Sequence, residues 1–116
     1  MHSSYEDLEV WRRARLLAVE VIKSLRTCRD FALLNQITRS AISVPSNIAE
    51  GAERNTKPEF AQFLGYAKGS LAELRTQIMI ARDLEYLDPM HAGIMLEEAL
   101  QLSRMLYRLH QSQTTS

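Results

Sequence analysis

The sequence predicts an all-α fold: an antiparallel, up-down-up-down four-helix bundle in a single domain spanning residues 1–116. Three observations predict it. Apolar residues recur at spacings of three and four in four successive blocks, no block shows the strict alternation of a strand, and the links between blocks are short enough to make consecutive helices antiparallel neighbours. The expected helices cover about residues 5–27, 30–54, 57–84 and 89–110.

In the first block Trp11, Ala14, Ala18, Val21, Leu25 and Cys28 follow one stripe, widened by Leu17 and Ile22. The second stripe is Phe31, Leu34, Ile37, Ala41, Val44 and Ile48, and its phase runs unbroken across Pro45. One helix kinked at Pro45 is therefore expected, not two. Proline removes an N–H and crowds the carbonyl of Ala41, which costs about 3 kcal/mol in a helix interior and must be offset by packing. Ser43 and Ser46 stand beside it, where hydroxyls bond freed backbone groups.

Thr56-Lys57-Pro58-Glu59 is a capping box with proline in the first turn, so a third helix starts there. It continues through Phe60, Leu64, Ala67, Leu71, Leu74, Ile78 and Ala81, alternating steps of four and three. Asp88-Pro89 repeats the start signal for a fourth helix carrying Met95, Ala99, Leu102, Leu106 and Leu109. That helix is expected to end near His110, leaving Gln111 to Ser116 to fray.

On the third helix Ala61, Gly65, Gly69 and Ala72 form a stripe of small residues. Each mid-helix glycine costs about 1 kcal/mol relative to alanine, so the pair calls for a close backbone approach. The approaching backbone belongs either to this bundle or to a second copy of the chain, which makes the stripe a candidate oligomer contact.

Hydrophobic residues make up 46% of the 116 and charged residues 24%, the balance of a globular chain and not of a disordered one. No apolar run reaches the length of about 20 residues that crosses a bilayer, and Met1 to Asp7 lacks the pattern of a signal peptide, so a cytoplasmic protein without membrane partners is expected. The lone Cys28 agrees with a reducing compartment, where it packs as a small hydrophobe.

Fourteen basic and fourteen acidic side chains cancel, so no overall field attracts nucleic acid or anionic lipid. The distribution is uneven, however. From Arg12 to Arg39 there are seven basic residues against Glu20 and Asp30. Within that segment Arg12, Arg15, Lys23 and Arg26 fall within about 80 degrees of helical arc, a candidate site for RNA or DNA whose competing explanation is a solvated face with local ion pairs. Asn47, Glu50 and Arg54 share another helical face beside Pro45, either as a recognition spot or as a structural network.

Catalytic and metal chemistry find no purchase. There is no Glu-x-x-His pair of the kind di-iron bundles use, and no two of His2, His91 and His110 lie three or four residues apart. Glu97 and Glu98 are adjacent on a helix and point about 100 degrees apart, so they do not face each other as an acid–base pair. Phosphate loops, nucleophile elbows and Cys/His nucleophile arrangements are absent, so no cofactor and no enzymatic activity are expected.

The string Gln36-Ile37-Thr38-Arg39-Ser40-Ala41-Ile42-Ser43-Val44-Pro45-Ser46-Asn47-Ile48-Ala49-Glu50-Gly51 resembles the signature of the four-helix bundle proteins encoded in intervening sequences of bacterial 23S rRNA genes, also called S23 ribosomal proteins. Tyr5 to Trp11, Glu59 to Leu64, Ala67 to Leu74 and Asp83 to Leu87 are similar to the same family. The resemblance implies a ring-like homopentamer without established catalytic activity. The chain is also similar to the accessory variability protein of diversity-generating retroelements, a basic pentamer that binds nucleic acid and partners a reverse transcriptase. It departs from these relatives in its neutral charge and in a first connection shortened to Thr27-Cys28-Arg29-Asp30. A self-assembling scaffold or interaction protein is the expected function, and an accessory factor binding RNA or DNA is the alternative.

Overall fold

A computed structural model describes residues 5–115 of the chain. His2 and Ser116, on which two of the expectations above fall, lie outside the described residues. Four α-helices follow a short 3-10 turn at Tyr5–Asp7: α1 (Glu9–Ser24), α2 (Phe31–Ala52), α3 (Lys57–Asp83) and α4 (Pro89–Thr114). They form a four-helix bundle, and no strand occurs among the described residues.

Each start has a local cause. Asp30 accepts from the Leu33 N–H, Thr56 from the Glu59 N–H and Asp88 from the His91 N–H, each satisfying a donor that the first turn leaves without a partner. The Glu59 carboxylate accepts from the Thr56 hydroxyl at 3.0 Å, and not from the Thr56 backbone N–H that a full capping box uses. α1 begins later than the periodicity suggests because Leu8 is extended and offers no side-chain cap. The 3-10 turn ahead of it is held by an edge-on contact of Tyr5 with Trp11, their centroids 5.0 Å apart.

Chain direction follows from the contacts between helices. Ser40 meets Gln77, Ser43 meets Ser70, and Gly51 lies against Phe60 and Phe63, so numbers fall along α3 as they rise along α2. Arg13 meets Met105 and Gln101, while Ser24 meets His91, so α1 and α4 also run in opposite senses. Tyr86 in the α3–α4 turn donates to Asp30 in the α1–α2 turn at 3.0 Å, which ties the two connections at one end of the bundle. That hydrogen bond, with smaller contributions from burial and the Asp30 charge, raises the Tyr86 phenol above its ordinary range.

The core is one cluster built from all four helices, with Leu25, Ile37, Ile48, Leu64, Leu71, Leu74, Ile78, Met95, Leu102 and Leu106 almost fully buried. Each large aliphatic side chain removed from water contributes about 1.5–3 kcal/mol. α2 passes through Pro45 as one helix, and Pro45 itself is buried. In this turn the side-chain amide of Asn47 donates back to the Ser43 carbonyl at 2.9 Å, whereas the Ser43 hydroxyl faces Ser70.

Two expectations need correction, and a third is narrowed. Phe31 belongs to the second stripe by spacing yet is 62% exposed, because it occupies the first turn of α2 and packs outside the cluster. α4 does not stop near His110 but reaches Thr114, carried by local bonds: Ser112 donates to the Leu109 carbonyl, Thr114 to that of Gln111, and Gln111 to the Tyr107 hydroxyl. Inside the bundle the close backbone approach is at Gly51 and not at Gly65 or Gly69, which leaves a second copy of the chain as the alternative for the stripe. A Cβ at Gly51 would stand 2.7 Å from Phe63 Cβ, whereas one at Gly65 or Gly69 would meet nothing within 4 Å.

Candidate interaction surface

Since neither Gly65 nor Gly69 is approached from within the bundle, the outward side of α3 is defined by what it lacks. Gln62, Gly65, Gly69, Ala72, Thr76, Met79 and Ile80 are all exposed. At 100 degrees per residue they share an arc of about 100 degrees that carries no charge until Asp83. Ala61, the remaining member of the small-residue stripe, turns inward and is 8% exposed. Met79 and Ile80 add large apolar side chains to a surface whose glycines hold no neighbour at a distance.

The outer face of α1 is built differently. Arg12, Arg15, Lys23 and Arg26 are all exposed, and Leu16 and Val19 lie among them, 59% and 45% exposed. Arg12 donates to the Glu6 carbonyl at 3.0 Å, and Arg15 sits 5.0 Å from the Trp11 ring centroid, a cation–π contact. Among the described residues neither Lys23 nor Arg26 joins an ion pair. The face is thus a basic stripe threaded with aliphatic side chains, a combination that charge counting alone does not reveal.

The neighbouring cation Arg13 behaves otherwise. Its guanidinium bonds both Glu98 carboxylate oxygens, at 2.9 and 2.6 Å, and the Gln101 amide oxygen at 2.6 Å. The hydrogen bond to Glu98 is the main reason the Arg13 pKa rises, and the reciprocal bond holds the Glu98 carboxyl below its ordinary range against the opposing effect of burial. This pair locks α1 to α4. It escaped sequence reasoning because the two residues lie 85 positions apart.

Asn47 and Glu50 lie on α2, but the helix ends at Ala52 and not at residue 54, so Arg54 sits in the turn beyond it and the three do not close into one network. Asn47 turns to Ser43, while Arg54 lies 3.7 Å from Glu50, with both side chains about half exposed. Arg54 also stacks 4.7 Å above Phe63 of α3. An exposed pair of this kind is worth at most about 1 kcal/mol. Within the described residues no group of three His, Cys, Asp or Glu side chains is placed to hold a metal ion, and no helix is long and apolar enough to cross a membrane.

Comparison with known proteins agrees with this architecture. The family described as 23S rRNA-intervening sequence protein matches residues 6–108, most of the chain. A protein of unknown function from the S23 ribosomal protein family of Bacteroides thetaiotaomicron has a similar solved structure. Its TM-score is 0.80 at 19% identity, covering 88% of this chain and 98% of that one. Among curated proteins nothing matches.

Proposed function

The chain belongs to the 23S rRNA-intervening sequence protein family, and we propose that it acts as a non-enzymatic, self-assembling scaffold or interaction protein, a cytoplasmic homopentamer joined through the outward face of α3. The observation that carries this reading is the uncharged arc from Gln62 to Ile80. Two mid-helix glycines weaken α3 by about 1 kcal/mol each relative to alanine, and the bundle gains no close packing from them. A second helix laid against that arc would approach the backbone closely and cover Met79 and Ile80. Gly65→Leu and Gly69→Leu test it. Each adds an exposed side chain in open space, so the folded subunit should tolerate it while the assembly dissociates; an assembly of unchanged size refutes the α3 contact.

The exposed cations of α1 favour a second reading, an accessory factor for RNA or DNA. A ring of subunits would repeat Arg12, Arg15, Lys23 and Arg26 around the assembly, giving a neutral protein a multivalent basic surface. Affinity for duplex DNA would then fall with salt at a logarithmic slope of about 0.9 per phosphate contact. Changing all four residues to glutamine should abolish binding with subunit count unchanged. Binding that survives the change, or no binding at low salt, excludes this face.

A further inference from the structure

Between the last turns of α1 and the first turns of α2 the surface opens into a groove of about 460 Å³, a size within the ordinary range of ligand sites. Its floor is aliphatic: Leu25 is 1% exposed, and Ile22 and Leu34 line the walls half-buried. Arg26, in the turn after α1, and Arg39 of α2 line the groove as exposed residues, together with Asn35 and Thr38. Both arginines are exposed, and among the described residues neither guanidinium is engaged in a hydrogen bond, ion pair or ring contact. Arg13, by contrast, is saturated by Glu98 and Gln101 on the other side of α1.

Two unengaged guanidinium groups from the α1–α2 turn and from α2, set over an aliphatic floor, complement a ligand that carries carboxylates beside an apolar side chain. Guanidinium forks bind carboxylates through paired hydrogen bonds, and they lose less hydration than an ammonium when the rim is covered. No aromatic residue lines the groove, so it offers no platform on which a nucleic-acid base would stack. We infer that this groove binds a short acidic segment of a partner protein, its carboxylates on Arg26 and Arg39 and an apolar side chain against Leu25. The site is separate from the α3 face and does not depend on self-assembly through it.

Fluorescence anisotropy of the intact protein tests this, with a fluorescein-labelled peptide in which glutamate and leucine alternate. Saturable binding is expected, weakened about tenfold or more by the paired change Arg26→Gln and Arg39→Gln and unaffected by Arg12→Gln with Arg15→Gln. Asn35→Glu, which puts a like charge at the mouth, should weaken it as well. A peptide of glutamate alone should bind more weakly than the alternating one. Equal binding by the groove variant overturns the site, as does failure of the peptide to bind at low salt. A single-stranded oligonucleotide that binds more tightly, and is lost in the same variant, overturns the occupant. A change of subunit count in the groove variant would mark the groove as a contact between copies and overturn it too.

Discussion

Ser40 Oγ lies 2.6 Å from the side-chain amide of Gln77, joining α2 to α3 where both residues are buried. The same hydroxyl is 3.1 Å from the Ile37 carbonyl. The Ser40 hydroxyl donates to the Gln77 side-chain oxygen, 2.6 Å being the length of an O–H···O bond, and the longer approach to Ile37 competes for the same proton. Because a buried polar group without a partner costs about 1–3 kcal/mol, Ser40→Ala alone should lower the melting temperature by several degrees. Combining it with Gln77→Leu should cost less than the sum of the two single changes in a double-mutant cycle. Additive effects would show that the two side chains are not coupled.

Gly51 predicts a contrast among the glycines. An added methyl at Gly51 would meet Phe63 Cβ at 2.7 Å and the Phe60 carbonyl oxygen at 3.3 Å, atoms that move only with the α3 backbone. Gly51→Ala should therefore destabilise by about 1–3 kcal/mol despite the better helix propensity of alanine. Gly65→Ala and Gly69→Ala meet open space and should be neutral or stabilising by up to about 1 kcal/mol each. Urea denaturation of the three variants gives the order, and a Gly51→Ala variant as stable as the parent contradicts the packing described.

The pH dependence of stability should report the Arg13–Glu98 pair. Arg13 lowers the folded-state pKa of Glu98, so the unfolded chain takes up this proton first as pH falls. The pair's contribution is fully present above the unfolded glutamate value of about 4.3 and is lost as pH drops through the lower folded value. Arg13→Gln should destabilise the protein at neutral pH and flatten the loss of stability on acidification. Parallel acid limbs in parent and variant would contradict it.

Four helices, their caps at Thr56 and Asp88, and most of the buried stripe were legible because propensity, capping and periodicity are local. Gly51 was not, since nothing around it distinguishes it from Gly65: whether a glycine marks a close approach is decided by the phenylalanines of another helix. For the same reason the basic stripe was visible as charge, while the pairing of Arg26 with Arg39 across a groove depends on how the α1–α2 turn brings the two helices together. Gln77 sits among the buried positions of α3 and carries no local signal, because its partner, Ser40, lies 37 residues earlier. The end of α4 is not legible because loss of apolar residues after His110 does not end a helix whose local side-chain bonds continue it to Thr114.

A chain whose α3 presents an uncharged face to further copies of itself should show this in the mass of the unmodified protein in solution. Light scattering at micromolar concentration should report an assembly close to five times the 13.3 kDa of one chain. A single species at 13.3 kDa would contradict the proposal.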